Sequence, residues 1–229
     1  DAWPRFSFMR AQSTPYNTRC EAADRCDTAL SRRGPGDRKR VYYSCVMEQH
    51  ETNERLTLHT FLPAADLVPF VRHYYLFESM NPGISQITAA WTRQLLVLQY
   101  GNRLKSSLGG DIRPVRDAAV NGAVTLPYVF QPEEARFRFF VVEFTDIGLY
   151  CLLRENGTAF VDTSTDVMDV VPGRKRRAIA DALYEIDDLE RKVELVEHFL
   201  RSLLPRASTL TRIQHVTDAV RLIRSAGGW

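Results

Sequence analysis

The 229-residue chain has little of what most catalytic sites require. Its five histidines, His50, His59, His73, His198 and His215, form no HxH or HExxH pair, the spacings by which neighbouring strand or helix positions share a metal. It carries no GxSxG nucleophile turn, no phosphate-cradling P-loop and no GxGxxG, which argues against elbow-type hydrolases, nucleotide triphosphatases and dinucleotide enzymes. No catalytic residue, metal ligand or cofactor is therefore expected. Cysteine is sparse: Cys20, Cys26 and Cys45 lie in the first 46 residues and Cys151 in the expected core. Cys20 and Cys26 are too far apart for a CxxC pair, and the usage points to a reducing compartment, with a Cys20–Cys26 disulfide as the alternative. No apolar run approaches the roughly 20 residues that span a bilayer. No charged-then-apolar signal pattern opens the chain, so Asn156-Gly157-Thr158 matches a glycosylation pattern without a secretory context. The expectation is a cytoplasmic protein with no membrane partner.

Charge of one sign is also lacking overall, but it is unevenly distributed. Lys and Arg number 30 against 28 Asp and Glu, a net of +2. Residues 1–46 hold nine Lys/Arg and five Asp/Glu, which leaves 21 against 23, a net of −2, for 47–229. The part that reads as folded thus offers no obvious phosphate-binding face. Residues 1–46, with SRRGPGDRKR from Ser31, show neither period 2 nor period 3.6 and read as a disordered basic leader. A native start near Met47 is expected from this, with a basic arm for DNA as the functional alternative.

What the chain does have is alternation. Strands are expected at Leu56–Phe61, Val71–Phe77, Ile84–Trp91, Gln94–Tyr100, Val115–Asn121, Leu126–Phe130 and Phe137–Phe144, with a short helix over Ala64–Phe70 and a loop at Leu108–Asp111. Phe137, Phe139 and Val141 share one face of the last strand and Phe140, Val142 and Phe144 the other, so that strand should be covered on both sides. Close-spaced short strands suggest a barrel or sandwich. His59 and His73 read as strand residues with polar tips, and Glu78 and Glu143 as isolated carboxylates.

The pattern then becomes helical. Asp146–Arg154 reads as a helix with Asp146 near its cap, Asp162–Val171 as a connector, and Pro172 as the start of a helix to about Glu185. Arg174–Arg177 is a solvated face or a weak DNA contact. Asp187 should cap a helix running to Leu204, whose stripe of Leu189, Val193, Val196, Leu200 and Leu203 forms a helical interface, either within the domain or between two copies in a homodimer. Thr209–Ala226 is the last expected helix, with Ile213, Val216, Val220 and Ile223 on its apolar face. The fold class is α+β: a β-rich barrel-like or sandwich sensor domain at 54–165 with a helix near 146–154, a helical linker or dimerisation segment at 166–205, and a further helix within 208–229.

Phe61-Leu62-Pro63, Leu67–Val71 with Tyr74-Tyr75, Leu95–Leu98, Gly122–Pro127 and Phe144–Leu149 together resemble bacterial AraC-type transcription regulators of a branch with a β-rich sensor domain. Asp162–Val171 resembles that group's acidic connector, Leu189–Leu204 its long helix, and Thr209–Gly228 the first helix of its DNA-binding domain. The resemblance implies the effector-sensing portion of a regulator, with DNA contacted only through a C-terminal domain carrying helix-turn-helix recognition helices that this chain lacks. It also implies a small-molecule effector. For that effector the residues suggest a pocket lined by Tyr75, Trp91, Tyr100 and Tyr128 with Arg93 as its charge, or else rings that merely fill the core. The alternative in another class is a stand-alone small-molecule-binding or cupin-like enzyme domain, which a clustered metal site would favour.

Overall fold

The computed structural model describes residues 42–49, 54–80, 86–88, 92–102, 104–108, 110–126, 128–132, 136–171, 178–204 and the positions 215, 218–219, 222–223 and 225–226. Expectations on residues 1–41, Trp91, Arg174–Arg177 and most of Thr209–Ala226 lie outside them.

Alternating sequence makes two antiparallel sheets. The strands are β1 (Tyr42–Gln49), β2 (Glu54–Phe61), β3 (Val71–Met80), β4 (Gln86–Thr88), β5 (Leu95–Gln99), β6 (Leu104–Leu108), β7 (Asp111–Pro114), β8 (Ala118–Asn121), β9 (Tyr128–Pro132), β10 (Arg136–Phe144) and β11 (Ser164–Asp166). Seven form one sheet in the order β1-β2-β3-β10-β5-β8-β11, and four form the other in the order β4-β9-β6-β7. Among the described residues the α-helices with defined bounds are α1 (Gly148–Leu153), α2 (Val167–Val170), α3 (Ala178–Glu185) and α4 (Leu189–Leu203). The architecture is therefore α+β, a β-sandwich followed by helices.

The large sheet separates two apolar layers. On β10, Phe137, Phe139 and Val141 pack with Tyr75, Leu104 and Phe130 between the sheets. Phe140, Val142 and Phe144 pack with Tyr74, Leu96 and Leu98 against residues of α1, α2, α3 and α4. Burying each such side chain contributes about 1.5–3 kcal/mol, so both faces of β10 hold the fold, as its two apolar registers lead one to expect.

Several boundaries differ from expectation. A leader ending at residue 46 would cut β1, which pairs along its length with β2 from Tyr42↔Phe61 to Gln49↔Glu54. Its Met47 is an internal strand position; short, irregular apolar spacing hid the strand. Ala64–Phe70 is a turn rather than a helix. Leu108–Asp111 is not a bare loop but the tip of the β6–β7 hairpin, where Gly110 adopts φ 104°, a conformation that glycine takes without strain. The sensor boundary at 165 falls inside β11, and α2, α3 and α4 share one core with the sheet rather than forming a linker. Val193, Val196 and Leu200 are fully buried there, with Leu189 and Leu203 packed alongside. The helical interface is thus internal to the chain.

Two caps also differ. The α1 N-cap is Ile147 without a side-chain bond, because Asp146 instead accepts from Arg72 Nη2 at 3.1 Å. At α4 the cap is Asp188, not Asp187: its Oδ1 accepts from the Arg191 N–H at 2.8 Å. The strand-to-helix junction before α1 is tight. A Cβ on Gly148 would stand 1.9 Å from the Phe70 carbonyl oxygen. Gly148→Ala is expected to cost about 1–3 kcal/mol through this overpacking; a urea midpoint unchanged from wild type would show that α1 does not sit so close.

Candidate functional site

Strand order brings distant residues to one place between the sheets. β10 lies between β3 and β5, with Glu143 opposite His73 on one side and Leu95 on the other. Tyr75 is two positions along β3 from His73, and Arg93 is two positions before Leu95, so both reach Glu143 diagonally on the inner face. The Tyr75 hydroxyl donates to Glu143 Oε2 at 2.6 Å and Arg93 Nη1 donates to Oε1 at 2.6 Å. His73 Nδ1 stands 3.6 Å from Oε2, an electrostatic contact too long for a hydrogen bond. Glu143, read from sequence as isolated, is 1% exposed with both oxygens engaged.

The electrostatics follow from burial and partners. Burial alone would raise the Glu143 carboxyl, but His73, the Tyr75 hydroxyl and the Arg93 charge together outweigh it and hold the group below its ordinary value. The Tyr75 phenol is pushed well up, first by burial and then by its bond to Glu143. It therefore serves as a neutral donor.

Beside this cluster is an open hollow of about 410 Å³. Leu62, Pro63, Val68 and Val71 form its apolar wall, and Arg72, His73 and Thr145 its polar side. His73 joins hollow and cluster. The wall segment between β2 and β3 is anchored on Thr145, just after β10, and on α4. Thr145 Oγ1 donates to the Pro69 carbonyl at 2.8 Å, and the Thr145 N–H donates to the Phe70 carbonyl at 2.9 Å. From α4, Glu197 Oε1 accepts from the Ala64 N–H at 2.9 Å, while Arg201 holds Asp66 through Nε at 2.7 Å and Nη2 at 3.0 Å. Glu197 is fully buried and also accepts from Arg201 at 3.3 Å. Asp66 is the first cause of the rise in the Arg201 pKa.

Of the five pocket residues expected from sequence, Tyr75 and Arg93 meet at Glu143. Tyr128 is buried on the same inner layer, its ring centroid 4.7 Å from that of Phe130. Tyr100 is corrected to the opposite face. It is buried on the helix side, between Arg138 and Lys192, whose charges stand 5.4 and 5.1 Å from its ring centroid. Alternation reverses faces with every residue, and Tyr100 follows β5 in the register of Leu98 rather than Val97. The four rings therefore do not line one cavity. His59 lies on the Leu76 register of β2, away from His73.

Sequence reasoning missed Glu143, Arg72, Thr145, Glu197 and Arg201. Two of them left a signal. Glu143 continues the inward register of Phe137, Phe139 and Val141, and Glu197 stands four residues after Val193 on the apolar stripe of α4. A charge on an apolar face marks a buried partner.

Among the described residues no group of three His, Cys, Asp or Glu side chains could hold a metal ion, and no helix is long and apolar enough to cross a membrane. No family model and no curated protein matches the chain. Among solved structures it is similar to a cupin-2 domain protein from Rhodospirillum rubrum, at 14% identity and TM-score 0.33 over 56% of this chain and 88% of the other. A predicted oxalate decarboxylase from Thermotoga maritima gives 9% identity and TM-score 0.35 over 44% and 90%. An HTH_3 family transcriptional regulator from Vibrio cholerae gives 8% and 0.32 over 39% of this chain; the match spans about half of that protein's length, 51%. At such scores the site's chemistry rests on its own residues.

Proposed function

We propose that the chain is the effector-sensing portion of an AraC-type DNA-binding transcription regulator, binding a small molecule beside Glu143 and passing its occupancy to α4. One observation carries this reading. The segment that walls the hollow is fastened from behind by two α4 side chains, Glu197 to the Ala64 N–H and Arg201 to Asp66. A ligand that displaces the wall acts on α4 directly, and a ligand shifts an equilibrium only through such unequal contacts with its two states.

In this reading the chain performs no chemistry. The Glu143 oxygens already accept from Tyr75 and Arg93, which suits a fixed structural carboxylate more than a general base. DNA contact belongs to a helix-turn-helix unit joined to the C-terminal helices, since sequence is read by a recognition helix in the major groove.

The test is a promoter reporter driven by this chain joined to a helix-turn-helix domain. Sugars, aromatic acids and aliphatic acids are added singly. A compound that changes expression through the wild type, binds the Glu197→Ala variant and fails to change expression through it supports the reading. An unchanged response in Glu197→Ala, or turnover of any added compound by the purified chain, refutes it.

A further inference from the structure

We infer that the hollow takes a small monocarboxylic acid with an apolar body, its carboxylate exchanging onto Arg72. This deepens the sensing proposal and relies on it only for what occupancy means. The volume, about 410 Å³, lies in the roughly 300–1,000 Å³ range of small-molecule pockets. Its wall of Leu62, Pro63, Val68 and Val71 offers no hydrogen bond from a side chain, so a polyol would lose its water there without replacement. Leu62 is 41% and Val68 54% exposed, so apolar surface remains for a ligand body to cover.

The head group is set by the polar side. Arg72 pairs with Asp146 at 3.1 Å, with the two side chains 35% and 41% exposed. An ion pair so exposed is worth only about 0–1 kcal/mol, so Arg72 is tethered weakly at the mouth. Its planar guanidinium can receive a carboxylate through two parallel bonds, in exchange for the single Asp146 contact. The Thr145 hydroxyl hydrogen is committed to the Pro69 carbonyl, so it is not a donor for the ligand. His73, whose Nδ1 stands 3.6 Å from Glu143 Oε2, completes the polar side. A cationic ligand would meet Arg72, and Glu143, already paired with Arg93, could not compensate it.

Asp146 is then a built-in competitor, and this gives the test a direction that a structural role does not share. The intact chain is titrated calorimetrically with hexanoate and benzoate, and with hexanol and hexylamine as neutral and cationic counterparts. At least one acid should bind at about 1 mM or below, more tightly than both counterparts. Arg72→Gln should weaken the acid about 10-fold or more, the effect of losing hydrogen bonds to a charged group. Asp146→Asn should tighten it. Absence of binding by both acids, equal binding of hexanol, or an acid affinity unmoved in Arg72→Gln or weakened in Asp146→Asn overturns the assignment. The two proposals separate cleanly. Acid binding with a silent reporter removes the sensing reading and leaves the site. Absence of acid binding, with a reporter that answers to another compound class, leaves sensing and removes the acid.

Discussion

Arg93→Met is expected to lower stability at neutral pH by about 3–5 kcal/mol, the usual consequence of stripping one partner from a buried ion pair. Glu143 is 1% exposed and cannot turn to water when Arg93 is gone. Partial exposure of Arg93, at 32%, puts the expected loss toward the lower end. The pH dependence gives the sharper reading. In the wild type the Glu143 pKa is depressed, so its contribution is present above the ordinary value of 4.5 and is lost as pH falls through the depressed value. Without Arg93 one of the causes that hold the carboxyl down is lost, so its pKa rises from the depressed value and the stability that its charge contributes above 4.5 shrinks. The gap between the two proteins should therefore be widest near pH 7 and shrink by about pH 4. Urea unfolding at both values measures it; a gap that is the same at both would show that Arg93 acts through packing and not through the Glu143 charge.

Leu200→Ala should cost about 2–5 kcal/mol, the range for truncating a buried leucine. Leu200 is fully buried on α4 beside Val193 and Val196, in the core shared with Phe140 and Val142. The loss should be the same at every protein concentration, because the stripe packs on its own sheet. An unfolding midpoint that rises with concentration in the wild type, and no longer does so in the variant, would instead make the stripe a contact between copies. The measurement thus decides between the two uses that the stripe's spacing alone leaves open.

The local choices in this chain were legible wherever a single period ran uninterrupted. The strands Val71–Met80 and Arg136–Phe144 and the helix Leu189–Leu203 follow directly from alternation and from a 3.6-residue stripe. Elements of few apolar residues were not. β6 and β7 carry Lys105, Ser106 and Ser107 opposite Pro114, Arg113 and Ile112, and they are strands because a neighbour pairs with them. The Asp187 cap was off by one position, since two adjacent aspartates offer the same chemistry and only backbone geometry chooses Asp188.

The site divides the same way. By itself the sequence determined that β10 would be buried on both faces, that a β-rich half would precede a helical one, and that no histidine pair with metal-ligand spacing exists. These follow from periods and spacings that need no partner. Tertiary structure alone decided that Tyr75 and Arg93, 68 and 50 residues from Glu143, would share its carboxylate. It also decided that Tyr100 would face the helices and that Glu197, 133 residues from Ala64, would hold the wall of the hollow. The reason is the strand order. β10 enters between β3 and β5, which are not its neighbours in sequence, and a period measured along one strand carries no information about which strand lies beside it.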